Sequence, residues 1–199
     1  MTSEARWKRG SRLFFTLSPT RGEGQGEGTS GKSTVACGGG QRRGVTTPTV
    51  LALSRQNLAQ QKHSAAHAAL AARGGYILVE PATAPEAVVV ATGSELDLAV
   101  QAAQLLAAEG RAVRVVSMPC MEVFQAQDAA YREQVLPAAL QRRLVVEAGV
   151  TGLWRGLAGP HGAVLGVDDF GASAPASKVF AYFGLTVDGV AQGLRGLFA

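Results

Sequence analysis

The stretch EAVVVATGSELDLAV, residues 86–100, carries the strongest structural signal in this sequence. Its first part, residues 86–92, is a nearly unbroken apolar run rich in β-branched valines, which is typical of a strand buried on both faces. Gly93 then predicts a turn. We expect Ser94 to be the N-cap of the following helix, with Glu95 favouring the positive helix end. The stretch predicts a strand, a turn and a helix.

The helix that follows is amphipathic. Leu96, Val100, Ala103 and Leu106 recur at helical spacing and share one face. Gly110 comes after this pattern and predicts the end of the helix. One complete βα unit is therefore visible in the sequence.

The same alternation continues on both sides of this unit. The predicted strands are residues 49–55, 76–80, 112–118, 143–149 and 163–167. The predicted helices are residues 57–75, 122–135, a short piece after Pro137, 152–159, 174–183, and a last helix capped by Thr186 and ending at Leu197. Strands separated by helices indicate the α/β class, with an open, mostly parallel sheet flanked by helices on both faces.

Residues 1–46 differ in composition from the rest of the chain. They contain ten glycines, eight Lys or Arg and three Asp or Glu, without sustained hydrophobic periodicity. Such a segment buries too little apolar surface to offset the entropy of ordering it, so we expect it to be disordered. The remaining residues hold 11 basic and 12 acidic side chains. Because the basic charge is confined to the first segment, the folded part is not expected to bind nucleic acid.

Cysteine content and hydropathy indicate the compartment. Cys37 and Cys120 are the two cysteines, and their sequence contexts differ, which favours a reduced, cytoplasmic protein. No apolar run approaches the length that a membrane span needs. The sequence predicts a cytoplasmic chain without a membrane partner.

The segment GEGTSGKS, residues 26–33, fits the phosphate-binding pattern G-x-x-x-x-G-K-[ST]. A working P-loop needs a buried strand before its glycines and a helix after them. Here SPTRGEGQ precedes Gly26 and VACGGGQRRG follows Thr34, and neither has the required pattern. We interpret the match as a chance occurrence in a glycine-rich segment.

Two histidines are spaced as in helical zinc sites. His63 and His67 lie four residues apart on the predicted helix, but Ser64 stands where a zincin has glutamate and no third ligand is evident. We therefore expect two solvent-facing histidines and no metal site.

Two segments follow predicted strands at the edge where α/β proteins bind ligands. ATGSE, residues 91–95, offers free amides that an anion could use, although tight packing and helix capping are the simpler interpretation. VDDF, residues 167–170, supplies two adjacent carboxylates. Because adjacent side chains usually point apart, we expect solvation or capping rather than a cooperating acid–base pair.

Arg55 closes the first predicted strand. Its planar guanidinium suits a phosphate group, and a structural salt bridge is the equally supported alternative. The residues alone leave both interpretations open.

Six segments resemble those of transketolases and occur in the same order. They are LALSRQNLAQQ, ARGGYILVE, VVVATGSELDLAV, RVVSMPCMEVFQAQDAAYREQVLP, VVEAG and DDFGASAPASKVFAYFGLTVDGV. The resemblance runs from about residue 47 to residue 199. It implies a disordered, unrelated segment 1–46, a strand and linker helix from a pyrimidine-binding domain at 47–75, and a transketolase C-terminal domain at 76–199.

The resemblance also implies a chemistry. Transketolases use thiamine diphosphate and Mg²⁺ to move a two-carbon ketol unit between sugar phosphates in the pentose phosphate pathway, usually as homodimers. The arginine of the family's S-R-Q-N motif binds the sugar phosphate and corresponds to Arg55. The family's cofactor-binding, metal-binding and catalytic residues have no counterparts in this chain, and His63, His67 and His161 lie outside its catalytic motifs.

We therefore expect a C-terminal fragment of a transketolase that is inactive alone, with no cofactor in this chain. Its transferase class comes from the resemblance only, and its expected partner is a homodimer mate or a missing catalytic chain. Two alternatives stay open: one subunit of a split thiamine diphosphate enzyme, and a small anion-binding or interaction module.

Overall fold

The computed structural model describes residues 12–16, 49–53, 58–61 and 65–199. The strands are β1 (Arg12–Thr16), β2 (Thr49–Leu53), β3 (Tyr76–Val79), β4 (Ala87–Ala91), β5 (Val113–Ser117), β6 (Arg143–Val146) and β7 (Ala163–Leu165). The α-helices are α1 (Ala65–Ala71), α2 (Leu96–Ala108), α3 (Met121–Gln125), α4 (Ala129–Val135), α5 (Arg155–Ala158), α6 (Ala176–Tyr182) and α7 (Val187–Gly196). Two 3₁₀ turns, Gly93–Glu95 and Thr151–Leu153, precede α2 and α5.

Five of the strands form one sheet in the order β3-β5-β4-β6-β7. β4, β5, β6 and β7 run parallel, and β3 pairs antiparallel with β5 at one edge. Helices lie against both faces, as the two clusters of buried side chains described below show. The predicted open, mostly parallel α/β sheet is confirmed.

The central strand β4 explains the architecture. All five of its residues are buried, because neighbouring strands flank it and helices cover both faces. Val89 belongs to a core shared with α2 and α7, whereas Val88 and Val90 belong to a core that contains Phe124 and Trp154. Successive strand residues face opposite sides, so an unbroken apolar run is what this position requires.

The ends of α2 show one correct and one wrong prediction. Gly110 follows the helix in the left-handed region at φ +79°, which glycine adopts without strain, as predicted. Ser94 was expected to be the N-cap but lies inside the 3₁₀ turn, and Thr92 takes the position before that turn. The reason is that the chain begins to coil directly at Gly93, two residues earlier than a helix with Ser94 as its N-cap would.

The helix predicted over residues 122–135 is two helices. Asp128 caps α4 by accepting a hydrogen bond from the Tyr131 N–H at 2.8 Å, which holds the backbone out of helical geometry between α3 and α4. Residues 138–139 after Pro137 form a turn instead of the expected short helix.

The predicted helix 57–75 is also shorter than expected. α1 covers Ala65–Ala71, and residues 58–61 are not helical. Residues 62–64 lie outside the described part of the chain.

The last two helices follow the local signals. Gly184 adopts φ +73° after α6, and the Thr186 side chain accepts a hydrogen bond from the Gly189 N–H at 3.1 Å at the start of α7. Val190 and Leu194 of α7 are fully buried in the core that α2 shares. The prediction of a Thr186-capped final helix is confirmed.

Of residues 1–46, which we expected to be disordered, the structure describes β1. It pairs in parallel with β2, and its Leu-Phe-Phe run has high strand propensity. The P-loop match at residues 26–33 lies outside the described residues, as do Arg55 and His63. None of the described helices is long and apolar enough to cross a membrane.

Candidate functional site

The carboxyl ends of β4, β6 and β7 meet at one edge of the sheet, which we call the carboxyl edge. It is formed by the loops that begin at Thr92, Glu147 and Gly166. Ligands of parallel α/β sheets bind at such edges. Three acidic side chains there, Glu95, Glu147 and Asp168, differ in burial and in hydrogen bonding.

Glu95 is a buried acid with several donors. Its side chain is 2% exposed, and the Ser94 Oγ donates a hydrogen bond to its Oε1 at 2.5 Å. Burial raises the pKa of Glu95, while hydrogen bonds from Ser94 and from the backbone of Glu95 and Ala148 act in the opposite direction. Glu95 sits in the ATGSE turn, so a carboxylate occupies the place where an anion would have to approach the free amides. The anion-docking interpretation of this turn is disfavoured.

Glu147 is a buried acid with fewer compensating contacts. It is 6% exposed, and its Oε2 has no hydrogen-bond partner among the described residues. Burial, followed by the nearby charge of Glu95, raises the pKa of Glu147 to about 8. The sequence analysis did not single out this residue. The sequence does contain a signal for Glu147. It directly follows the strand RLVV, and the carboxyl end of a parallel strand is where ligands bind in this fold class.

Thr92 lies beside Glu147. Ala91 and Val146 are paired in the β4–β6 register, and the following residues on the two strands are Thr92 and Glu147. Thr92 is 2% exposed and has extended backbone geometry, and its Oγ1 also lacks a partner among the described residues. Two buried polar groups without partners among the described residues therefore lie at the ends of two paired strands.

Asp168, the first acid of the VDDF segment, is fully engaged. Its carboxylate accepts hydrogen bonds from the Thr151 N–H at 2.7 Å and from the Thr151 Oγ1 at 2.6 Å. These bonds lower the pKa of Asp168, with a smaller contribution from Arg155. Asp169 instead accepts from the Phe170 N–H at 2.7 Å. The two acids bind different groups, as expected of capping rather than of an acid–base pair.

The histidines show no shared role in the described residues. His67 was expected to face solvent, but its ring lies 5.8 Å from that of Tyr76, with which it makes a tilted contact. His161 is exposed in the loop between α5 and β7. In the part of the chain that the structure describes, no group of three His, Cys, Asp or Glu residues is arranged to hold a metal ion.

An open cleft of about 290 Å³ lies between α5 and β7. Gly159 and Pro160 line it, and Arg155 is the charged residue of its lining. The Arg155 Nη2 donates to the Thr151 Oγ1 at 3.2 Å, so this guanidinium supports the loop that also binds Asp168.

Comparison with known proteins identifies the lineage. Residues 74–186 match the family model described as the transketolase-like TK C-terminal domain. The chain belongs to the transketolase family. It is 51% identical to Transketolase 1 of Vibrio cholerae over 152 residues, which cover 76% of this chain and 23% of that protein. The predicted resemblance to a transketolase C-terminal domain is confirmed.

Solved transketolases share the fold. The structure from Leishmania mexicana aligns with a TM-score of 0.69 at 44% identity, covering 76% of this chain and 21% of that one. A split-gene transketolase, solved as an inactive beta4 tetramer, aligns with a TM-score of 0.58 at 19% identity and covers 77% of this chain and 50% of that one. At that identity the second comparison shows the fold alone. The chain spans less than a quarter of the length of its Vibrio relative.

Proposed function

We propose that this chain acts as the C-terminal domain of a transketolase-type transferase and has no ketol-transfer activity by itself. The observation that supports the proposal is a five-stranded sheet with a core on each face, in the region that matches the family's C-terminal domain. In this proposal the assembled enzyme transfers ketol units between sugar phosphates in the pentose phosphate pathway. The chain supplies a folded body to that enzyme.

The described residues do not fit thiamine diphosphate with Mg²⁺. They contain no group of three potential metal ligands of the His, Cys, Asp or Glu type. At the carboxyl edge the buried acid Glu95, whose charged form is favoured by donors from Ser94 and the backbone, would repel a diphosphate. We therefore propose that the cofactor belongs to domains outside residues 1–199, and we assign it no step here.

Arg55 is the substrate contact that we propose for the assembled enzyme. It stands in the S-R-Q-N motif, and its planar guanidinium can hold a phosphate through two parallel hydrogen bonds. The contact needs the rest of the sugar-phosphate pocket, which domains outside residues 1–199 would contribute. We further propose that the assembled enzyme is cytoplasmic and dimeric, with the cofactor domains on the same or on a separate chain.

Two measurements test this proposal. Calorimetric titration of the purified chain with thiamine diphosphate and Mg²⁺ is expected to give no saturable binding. Adding the portion of the Vibrio cholerae relative that lies outside the matched region should yield ketol transfer that depends on both polypeptides. The matched control is the chain with Arg55→Ala, which should assemble equally but show weaker use of phosphorylated sugars.

Other results would replace the proposal. Stoichiometric cofactor binding by the chain alone would contradict it. Phosphate protection of the isolated chain against thermal unfolding, lost on Arg55→Ala, would favour the anion-binding module instead.

A further inference from the structure

The carboxyl edge buries two acidic side chains, and no described residue pairs with either as a cation. Glu95 lies in the turn before α2, Glu147 follows β6, and both are more than nine-tenths buried. A buried carboxylate is costly unless it is paired, hydrogen-bonded or protonated. The two groups also repel each other when both are charged, and the Glu95 charge acts on Glu147.

The two acids are not equally stabilised as anions. Ser94 and the backbone of residues 95 and 148 donate to Glu95, which favours its charged form. Among the residues that the structure describes, no group hydrogen-bonds the Glu147 Oε2 or the Oγ1 of Thr92, which follows the paired strand β4. A proton would therefore reside on Glu147, because neutralising this carboxyl removes the cost of burying its charge.

The other charged side chains near the carboxyl edge interact with groups other than Glu147. Asp168 and Arg155 both bond to Thr151, and Asp169 bonds to the Phe170 N–H. On the β5 side, Glu122 is exposed and receives a weak hydrogen bond from the Cys120 Sγ at 3.4 Å. None of these groups is a counter-ion for Glu147.

We propose that Glu95 and Glu147 form a proton-binding site, in which the folded chain holds one proton at neutral pH and the loops after β4 and β6 lose stability when that proton leaves. The site lies at the carboxyl edge and uses different residues from the sugar-phosphate contact assigned to Arg55. Its ligand is the proton itself, and its consequence is a fold whose stability depends on pH in the neutral range.

The direction of this dependence follows from the two states of Glu147. Its pKa is raised from the ordinary 4.5 to about 8 in the folded chain. Below pH 4.5 both folded and unfolded chains carry the proton, and the group costs no stability. Between these values only the unfolded chain has released it, so the unfolding equilibrium constant should rise by up to about tenfold per pH unit. Above pH 8 both states have released it and the trend stops.

The first test follows the carboxyl groups directly. Carbon-13 NMR of the full chain, labelled at glutamate side chains, should show one carboxyl that stays protonated at pH 7 and titrates near pH 8. The signal should be absent in Glu147→Gln. In Glu95→Gln it should titrate at lower pH, because the repelling charge is gone while burial remains.

The second test follows stability. Urea unfolding of the full chain between pH 5 and 8 should show the predicted decline, and Glu147→Gln, which mimics the protonated acid, should remove most of it. Glu122→Gln is the matched control, because it removes one exposed negative charge and should leave the decline unchanged.

Three results would overturn the proposal. The first is that every glutamate carboxyl titrates below pH 6. The second is that Glu147→Gln retains the parent's pH dependence. The third is that K⁺ or Mg²⁺ saturably stabilises the parent chain but not Glu147→Gln, which would make the occupant a metal ion. If Glu147→Gln fails to fold, the NMR titrations of the parent and of Glu95→Gln still decide the question.

Discussion

Arg114 lies in β5 and Glu147 directly follows β6, and the two are buried to a similar degree. They differ in the hydrogen-bond partners of their charged groups. Arg114 is 8% exposed and Glu147 is 6% exposed. The guanidinium of Arg114 donates two hydrogen bonds of 2.7 Å to the Glu80 carboxylate and two more to the carbonyls of Gln134 and Val135. Glu147 instead has an unpartnered oxygen and an acidic neighbour.

The difference separates a structural charge from a titratable one. The desolvation cost of Arg114 is offset by four hydrogen bonds that join β5, the loop after β3 and the end of α4. The cost of Glu147 is not offset, and a proton can remove it. Buried charge alone therefore does not indicate function. The number and type of its partners do.

The largest effect is expected for Arg114→Met. The substitution keeps a long apolar side chain but leaves the Gln134 and Val135 carbonyls without this donor. Glu80 is partly exposed and can recover hydration, so we expect a loss of about 2–3 kcal/mol in unfolding free energy, measured by urea denaturation.

Arg111→Met is the matched control for Arg114→Met. Arg111 pairs with Glu86 at 3.2 Å on the surface, where both side chains are more than a third exposed. Exposed pairs of this kind contribute little, so its unfolding midpoint should stay close to that of the parent. Equal losses in the two variants would contradict the contrast between buried and exposed charge.

The sequence predicted the sheet well because its signals are local. Three consecutive valines in β4 and the glycines at positions 110 and 184 act within a few residues of themselves. The break between α3 and α4 was also local, since Asp128 precedes by three residues the Tyr131 N–H that it caps. That signal was present in the sequence and was missed.

The acidic pair of the carboxyl edge could not be derived in the same way. Glu147 looks like a solvated residue at the end of a strand. Glu147 is nevertheless buried, and its charge is opposed by that of Glu95, which lies in a turn on a different βα unit. The β4–β6 pairing brings the ends of these two units to the same edge of the sheet. The pKa of Glu147 depends on residues that are distant in sequence. Neither composition nor residue spacing shows which residues these are.

A smaller effect than that of Arg114→Met is expected for Tyr131→Phe. The Tyr131 hydroxyl donates to the Gly75 carbonyl at 2.8 Å in a buried position, and the Arg73 guanidinium lies 3.3 Å from the ring centroid. Phenylalanine keeps the ring and its cation–π contact, so the change isolates the hydrogen bond. We expect a loss of about 1–2 kcal/mol in unfolding free energy, because the carbonyl stays buried without this donor. A neutral result would mean that water replaces the hydroxyl.

The smallest effect, with the opposite sign, is expected for Thr92→Val. This substitution also removes one buried hydroxyl, but Thr92 Oγ1 has no partner among the described residues and makes no capping bond to the 3₁₀ turn. Valine has a similar shape and suits the extended backbone at this position. We therefore expect urea unfolding to show no loss, or a gain of up to about 1 kcal/mol.

Thr186→Val supplies the comparison for Thr92→Val. Both threonines precede a helical segment, but the Thr186 Oγ1 accepts from the Gly189 N–H at 3.1 Å. Removing that cap should cost about 1 kcal/mol in unfolding free energy.

If both variants lost stability equally, Thr92 would have to be hydrogen-bonded in solution. The polar groups of the carboxyl edge would then be hydrogen-bonded as fully as Arg114 is. Missing hydrogen-bond partners would no longer distinguish the titratable Glu147 from the structural Arg114. If only Thr186→Val loses stability, Thr92 contributes no stabilising hydrogen bond at the edge where Glu147 lies.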